Sequence, residues 1–229
     1  MIRKLLLILL LISIITAPTA ASQDEWLWFF KASDPDGANG APGGYIGTTN
    51  SDIDGYQSTR DKYLDLSLLS SSASYGVYHV NGSDWSGPTG YYRQDMRAPL
   101  NENNKEKSWN PLYVWAGPNY QGNVIKLSWS PGMSGNYLPV DSVSYILTLL
   151  DNKGIPGAPA NGTFWILMPQ IPRSIHLPVL RTSNPNIDGY VFQFKAAIVS
   201  EPGSLATIIT GMLGIAGNWL RRRKIAKTW

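Results

Sequence analysis

Two stretches of this chain alternate residue by residue between apolar and polar side chains. In Val124–Ser130, Ile125, Leu127 and Trp129 fall on one side, and Lys126, Ser128 and Ser130 on the other. In Tyr190–Val199, Tyr190, Phe192, Phe194 and Ala196 stand against Gln193 and Lys195. A period of two is that of a strand with one face buried, not of a helix. Trp26–Ala32 is short and aromatic and runs into the turn cluster Ser33-Asp34-Pro35-Asp36-Gly37, so it reads as a strand as well. Gly76–Val80 and Tyr91–Ala98 read as strands around a turn at Asn81–Gly90. Trp109–Ala116, Thr163–Met168 and Arg173–Leu180 follow the same pattern. Val143–Leu150 is a more continuous apolar run, which predicts a central strand. Leu64, Leu66 and Leu68 alternate with Asp65 and Ser67 and suggest another strand. Ala38–Thr59, rich in Gly, Asn, Asp and Thr, is expected to be a long ordered loop, and Asn101–Lys107 an exposed polar one. About nine short strands punctuated by turn residues predict an all-β, antiparallel β-sandwich, immunoglobulin-like or jelly-roll. No segment between residues 22 and 200 carries a helical period.

Two flanking segments stand outside that pattern. Residues 1–21 have a basic start (Arg3-Lys4), an apolar run Leu5–Ile15 broken only by Ser13, and small residues up to Ala21. This is the layout of a secretory signal peptide, cleaved after Ala21. At the other end, Glu201-Pro202-Gly203 opens an uncharged run of 18 residues, Gly203 to Leu220, closed by Arg221-Arg222-Arg223-Lys224. Such a run reads as a short transmembrane helix, residues 203–220, and the basic block is expected to stay on the cytoplasmic side. The domain proper is then residues 22–200, followed by the tail 201–229.

The flanks also explain the charge. The whole chain carries 19 Lys+Arg and 16 Asp+Glu, net +3. Setting aside the two basic residues of the leader and the five of the tail leaves 12 basic against 16 acidic groups, net −4, in residues 22–202. The basic balance belongs to membrane targeting, and nucleic acid is not an expected partner. The chain has no cysteine, which excludes disulfides, thiol nucleophiles and Cys-ligated metals. A domain of this size buries about 70% of its unfolded surface, and nine Trp and twelve Tyr supply bulk for its core.

The tail resembles the PEP-CTERM sorting signal of exopolysaccharide-producing Gram-negative bacteria. Glu201-Pro202, Gly211, Gly214 and Gly217 in the span, and Arg221–Lys224 match that pattern; Ser200 replaces its first Pro, and Ile225–Trp229 trail the basic cluster. The resemblance implies handling by an exosortase-type enzyme, transient anchoring in the membrane, and release to the cell surface or matrix with extracellular polysaccharide. A plain C-terminal anchor is the alternative. The rest of the chain is similar to an uncharacterised β-sandwich module of bacterial secreted proteins. The matching elements are Trp26–Phe30, Gly47-Thr48 with Asp54-Gly55-Tyr56, Asp95-Met96-Arg97-Ala98-Pro99, Leu127-Ser128-Trp129, Leu149–Asp151 and Tyr190–Phe194. That resemblance implies no reaction.

Motifs for chemistry are sparse. There is no Gly-x-Ser-x-Gly elbow, no His-Glu-x-x-His pair and no Gly-x-x-x-x-Gly-Lys loop. Of two histidines, His176 alternates against Ile175 and Leu177 and is expected on the polar face, and His79 at a boundary. No catalytic residue is assigned. Asp34-x-Asp36-Gly37-x-Asn39 and Asp52-x-Asp54-Gly55 both space two carboxylates as a calcium loop does, Asp52 and Asp54 being the better candidates, but Asp-Gly also marks an ordinary turn. Trp85, Tyr91, Tyr92 and Tyr120 lie in or near loops, where exposed rings would stack on sugars and buried ones would pack a hairpin. Three functions stay open: a non-enzymatic surface or matrix protein, a carbohydrate-binding module acting on extracellular polysaccharide, and an extracellular hydrolase.

Overall fold

The computed structural model describes residues 25–50, 52–132, 142–168 and 171–199. The leader 1–21, the motif Glu201-Pro202-Gly203, the span 203–220 and the cluster Arg221–Lys224 lie outside these. Among the described residues no helix is long and apolar enough to cross a membrane.

Eleven strands hold nearly half of the described residues. They are β1 (Trp26–Ser33), β2 (Gly44–Thr48), β3 (Lys62–Tyr63), β4 (Ala73–His79), β5 (Gly90–Arg97), β6 (Glu106–Ala116), β7 (Val124–Pro131), β8 (Val143–Asp151), β9 (Phe164–Ile166), β10 (Arg173–Pro178) and β11 (Tyr190–Ile198). One helical turn, α1 (Pro185–Asp188), precedes β11. Strands dominate the described residues, consistent with the all-β class that the alternation predicts. The strands follow one path, β10-β7-β1-β2-β5-β4-β6-β11-β8-β9, with β3 paired to β5 beside it. The pairings are antiparallel except β2 with β5, where Ile46 faces Asp95 in parallel register. The sheet is therefore mixed rather than purely antiparallel.

The sheet curls. β1 and β11 stand five steps apart on the path, about 24 Å in a flat sheet. Yet the Phe30 and Phe194 rings meet at 5.4 Å, and Trp26 lies 4.9 Å from Tyr145 of β8 and 5.7 Å from Trp109 of β6. The concave faces of the two halves close on each other over one core. The inward rows of β7 (Ile125, Leu127, Trp129), β8 (Val143, Tyr145, Leu147, Leu149) and β11 (Tyr190, Phe192, Phe194, Ala196) are all buried in it. Burying one such Leu or Phe side chain contributes about 1.5–3 kcal/mol.

Three local expectations are corrected. First, β2 lies inside the stretch read as loop. A Cβ at Gly44 would stand 2.0 Å from the Arg93 carbonyl oxygen, and one at Gly47 2.1 Å from that of Trp26. Glycine here serves the close approach of neighbouring backbones, not a turn. Second, Leu66–Leu69 is a 3-10 turn, not a strand. The Asp65 carboxylate accepts the Ser67 N–H at 2.9 Å, Leu69 is buried and Leu68 points out. Third, β8 is next to last on its side of the path, flanked by the three-residue β9. Its Ile146 is half-buried and Leu150 exposed, so the apolar run alternates after all. His176 is exposed between buried Ile175 and Leu177, as its parity predicts.

Truncating Trp26 to Ala should lower stability by about 3–5 kcal/mol. Leu68→Ala, at a position 77% exposed, should stay within about 0.5 kcal/mol of the parent. Urea unfolding midpoints at unchanged slope give the comparison.

Candidate functional site

The site grows from the hairpin between β4 and β5. The Asn81 N–H donates to Thr89 Oγ1 at 2.9 Å, and its side-chain amide donates to the Gly87 carbonyl at 2.9 Å. The Gly82 N–H donates to the Trp85 carbonyl at 2.9 Å. These bonds fold the loop back, so that the Trp85 indole stacks on the His79 imidazole, 3.6 Å apart and 7° from parallel. Tyr92 meets the same indole edge-on at 4.9 Å.

Beneath the stack lies a buried charge cluster. Asp95 and Arg97 are two residues apart on β5 and so share a face. Arg97 donates Nε to Asp95 Oδ1 and Nη2 to Oδ2, both at 3.1 Å, and Nη1 to the Ser108 carbonyl at 2.9 Å. Its guanidinium carbon lies 4.8 Å from the centre of the Trp109 ring. His79 Nε2 is 2.8 Å from Asp95 Oδ2. Burial pushes the fully buried Asp95 carboxyl up, but the Arg97 charge and the His79 and Arg97 hydrogen bonds outweigh it and hold the group at about 2. Asp95 is thus ionised at neutral pH, and His79 Nε2 must carry the proton that points to it.

His79, Trp85 and Arg97 line a cleft of about 520 Å³ whose other walls include Asp54, Asp84 and Ser108. Its surface mixes guanidinium, carboxylate, hydroxyl and amide groups with one indole. Such a cleft can hold a polar, hydroxyl-rich ligand by many directional bonds. The His79–Asp95 pair has the form of a base with its orienting carboxylate. Among the described residues, however, His79 hydrogen-bonds Asp95 alone, and no hydroxyl stands at bonding distance as a nucleophile.

Asp52 and Asp54 are not brought together. Asp52 is buried, accepts the Thr49 hydroxyl and faces Arg60 Nε at 3.4 Å. Asp54 is half exposed at the cleft wall and takes the Lys107 ammonium at 2.5 and 2.6 Å. Each carboxylate already has a cation of the chain itself. Among the described residues no group of three or more His, Asp or Glu side chains is placed to hold a metal ion. Asp34 accepts the Ala38 and Asn39 N–H groups at 2.6 and 3.2 Å, the bonding of a turn.

The four rings considered for sugar stacking are all buried. Tyr92 sits among Tyr56, Tyr63 and Trp85, and its hydroxyl donates to the Pro88 carbonyl at 2.7 Å. Tyr91 packs on Tyr78, Tyr113 and Trp115 and donates to Asn186 Oδ1 at 2.5 Å. Tyr120 donates to the Val124 carbonyl at 2.9 Å. Each phenol thus finds an acceptor within the fold, which lets its ring be buried. Trp85 reaches the cleft but spends one face on His79. The sequence places His79 at a boundary and Asp95 and Arg97 in one motif, but does not join the three, which form the centre of the site. The signal present was two charges at strand parity inside an aromatic strand.

No protein-family model matches this chain, and neither does any curated protein or solved structure.

A second buried carboxylate sits behind the cluster. Asp61 accepts the Met96 N–H at 3.0 Å and the Gln57 N–H at 2.6 Å, tying the segment before β3 to β5. Burial raises its carboxyl to about 7, with the nearby negative charges of Asp95 and Asp52 adding to the rise against those two bonds. An unfolded Asp titrates near 3.9. The folded state therefore holds this proton more tightly, and Asp61's contribution is complete below about pH 4. It is lost as pH rises to about 7. Asp61→Asn should remove that slope. The difference in unfolding midpoint between parent and variant, followed from pH 4 to 8, should change up to about pH 7 and then level off.

Proposed function

We propose that this is an exported, non-enzymatic protein of the cell surface or extracellular matrix. Residues 1–21 deliver it across the inner membrane, the span 203–220 anchors it transiently, and an exosortase-type enzyme processes it at Glu201-Pro202-Gly203. The observation that carries this reading is the fit of the fold between the two segments. β1 begins five residues after Ala21, and β11 ends three residues before Glu201. One β-domain fills the chain between a leader and a sorting tail. We read its curled sheet as a β-sandwich in the immunoglobulin-like or jelly-roll manner, its halves packed face to face through Trp26, Tyr145 and Phe194.

The tail pattern also supports processing rather than lasting anchorage. Eighteen residues rise about 27 Å as a helix, just short of a hydrocarbon core of about 30 Å. Gly211, Gly214 and Gly217 each weaken a helix by about 1 kcal/mol relative to Ala. The residue before a proline is biased away from helix, which at Glu201-Pro202 would suit a protease. Native protein from the matrix should end near Ser200–Gly203 and lack Arg221–Lys224, as read by mass spectrometry of the C-terminal peptide. Replacing both Glu201 and Pro202 by Ala should leave the full tail in the inner membrane. A native chain still ending in Trp229 would reduce the tail to a plain anchor.

A second reading is favoured by the polar cleft. Its charged and hydroxyl-bearing walls suit a segment of extracellular polysaccharide, held beside the stacked Trp85 and His79. Calcium at Asp52 and Asp54 is not needed for this. Ser83 and Asp84 are exposed at the rim. Changing both to Ala should weaken co-sedimentation with the native exopolysaccharide at least tenfold while the melting curve stays in place. Undiminished binding by that variant, or none by the parent, sets the cleft reading aside.

A further inference from the structure

β9 carries an apolar row on the outside of the sheet. Phe164, Ile166 and Met168 are exposed, while Leu167 between them is buried and Trp165 packs against the core. Ile171 and Val199 are exposed too, and all five side chains are between 42% and 60% accessible. The register places them together. Ile166 pairs with Ile146 of β8, which pairs on its other side with Lys195 of β11. β9 and β11 both run antiparallel to β8, so they run in the same direction and end at the same end of the sheet. There the Leu167 N–H donates to the Tyr145 carbonyl, and the Val199 N–H to that of Ser142, both at 2.9 Å. Met168 and Val199 thus stand about two strand spacings apart, roughly 10 Å.

The chain leaves the domain at that same end. Three residues, 200–202, separate Val199 from the start of the uncharged run at Gly203. Fully extended, the four steps from Val199 to Gly203 reach at most about 14 Å. The headgroup layer is itself about 5–8 Å deep on each side of the hydrocarbon. A domain tethered this closely keeps the Val199 end of its sheet within about 10 Å of that layer. We propose that Phe164, Ile166, Met168, Ile171 and Val199 form a membrane-contact face on which the domain rests while its tail is attached. The occupant is the lipid surface, because the short tether delivers this end of the sheet to lipid. Outward residues grade from the Lys195–Glu106 ion pair on β11 and β6 to the bare apolar row on β9. Contact is therefore made along the β9 margin, with polar groups behind it. The inference rests on the reading of residues 203–220 as a membrane span.

The absence of cysteine makes the test direct. Single cysteines are placed in the full chain at Ile166, Met168, Leu68 and Ile209, labelled with an environment-sensitive fluorophore, and the protein is reconstituted into phosphatidylcholine–phosphatidylglycerol vesicles. Spin-labelled lipids quench from the headgroup or from the acyl chain. Labels at Ile166→Cys and Met168→Cys should be quenched from the headgroup at least threefold more than one at Leu68→Cys. The label at Ile209→Cys should be quenched from the acyl chain. If Ile209→Cys is quenched but Ile166→Cys and Met168→Cys behave like Leu68→Cys, the contact face is refuted and the anchor stands. If Ile209→Cys is not quenched, the anchor reading falls and takes the contact face with it. Shielding that follows protein concentration without lipid assigns the row to a second copy and overturns the proposal.

Discussion

The fold depends on one meeting of side chains. Trp26 and Trp28 of β1 reach across the curl to Tyr145 of β8, and Trp26 and Phe30 to Phe194 of β11. A single sheet of this length cannot bury its concave face unless its halves close on each other, and β1 is where they touch. The preference of aromatic rings for edge-to-face contact adds direction to that closure. The indole N–H groups of Trp26, Trp28 and Trp109 are buried without an acceptor among the described residues. These rings are held by shape and burial, and the apolar gain has to exceed the cost of each unmet donor, about 1–3 kcal/mol.

The strands that read most clearly in the sequence are those whose inward row feeds this contact. β7 and β11 alternate because one face is core and the other is partly exposed, β1 reads from its aromatic run, and the bounds of all three are right to within a residue or two. What the sequence hid were strands shaped by neighbours rather than by a buried row. β2 is made of Gly44, Tyr45, Ile46, Gly47 and Thr48 because flanking backbones press on its glycines. From composition alone that need looks like a loop. Leu64, Leu66 and Leu68 show the opposite failure. Three alternating leucines satisfy a strand pattern, but the Asp65 cap turns the chain into a 3-10 helix and leaves Leu68 outside.

The site was less legible than the fold, for a reason that lies in distance. Asp52 and Asp54 look like a pair because they are close in sequence, yet Asp52 turns in to Arg60 and Asp54 out to Lys107, 53 residues away. Asp95 and Arg97 acquire meaning only from His79, sixteen residues earlier, and from Trp109 and Ser108 on another strand. Tyr91, Tyr92 and Tyr120 carried a correct signal, a ring with a polar tip, but the tip was met within the protein. A single sequence shows which residue types are present and does not show which partner closes on them.

The order of strands keeps the two outward features apart. The cleft is built on β4, β5 and β6, whereas the apolar row belongs to β9, three steps beyond β6 on the path. That is about 14 Å measured along the sheet. A domain resting on lipid through β9 would leave the cleft's walls clear of the bilayer, and losing the tail would change nothing at His79, Asp95 or Arg97. The rigidity that keeps them apart comes from the aromatic closure, since no disulfide is available to this chain. A staple would add about 2–4 kcal/mol, no more than one core Trp or Phe is worth by the cost of its removal, about 3–5 kcal/mol. Ten of the largest side chains of this core are almost wholly buried. Packing alone is therefore sufficient to hold the domain together and, with it, the distance between the cleft and the apolar row.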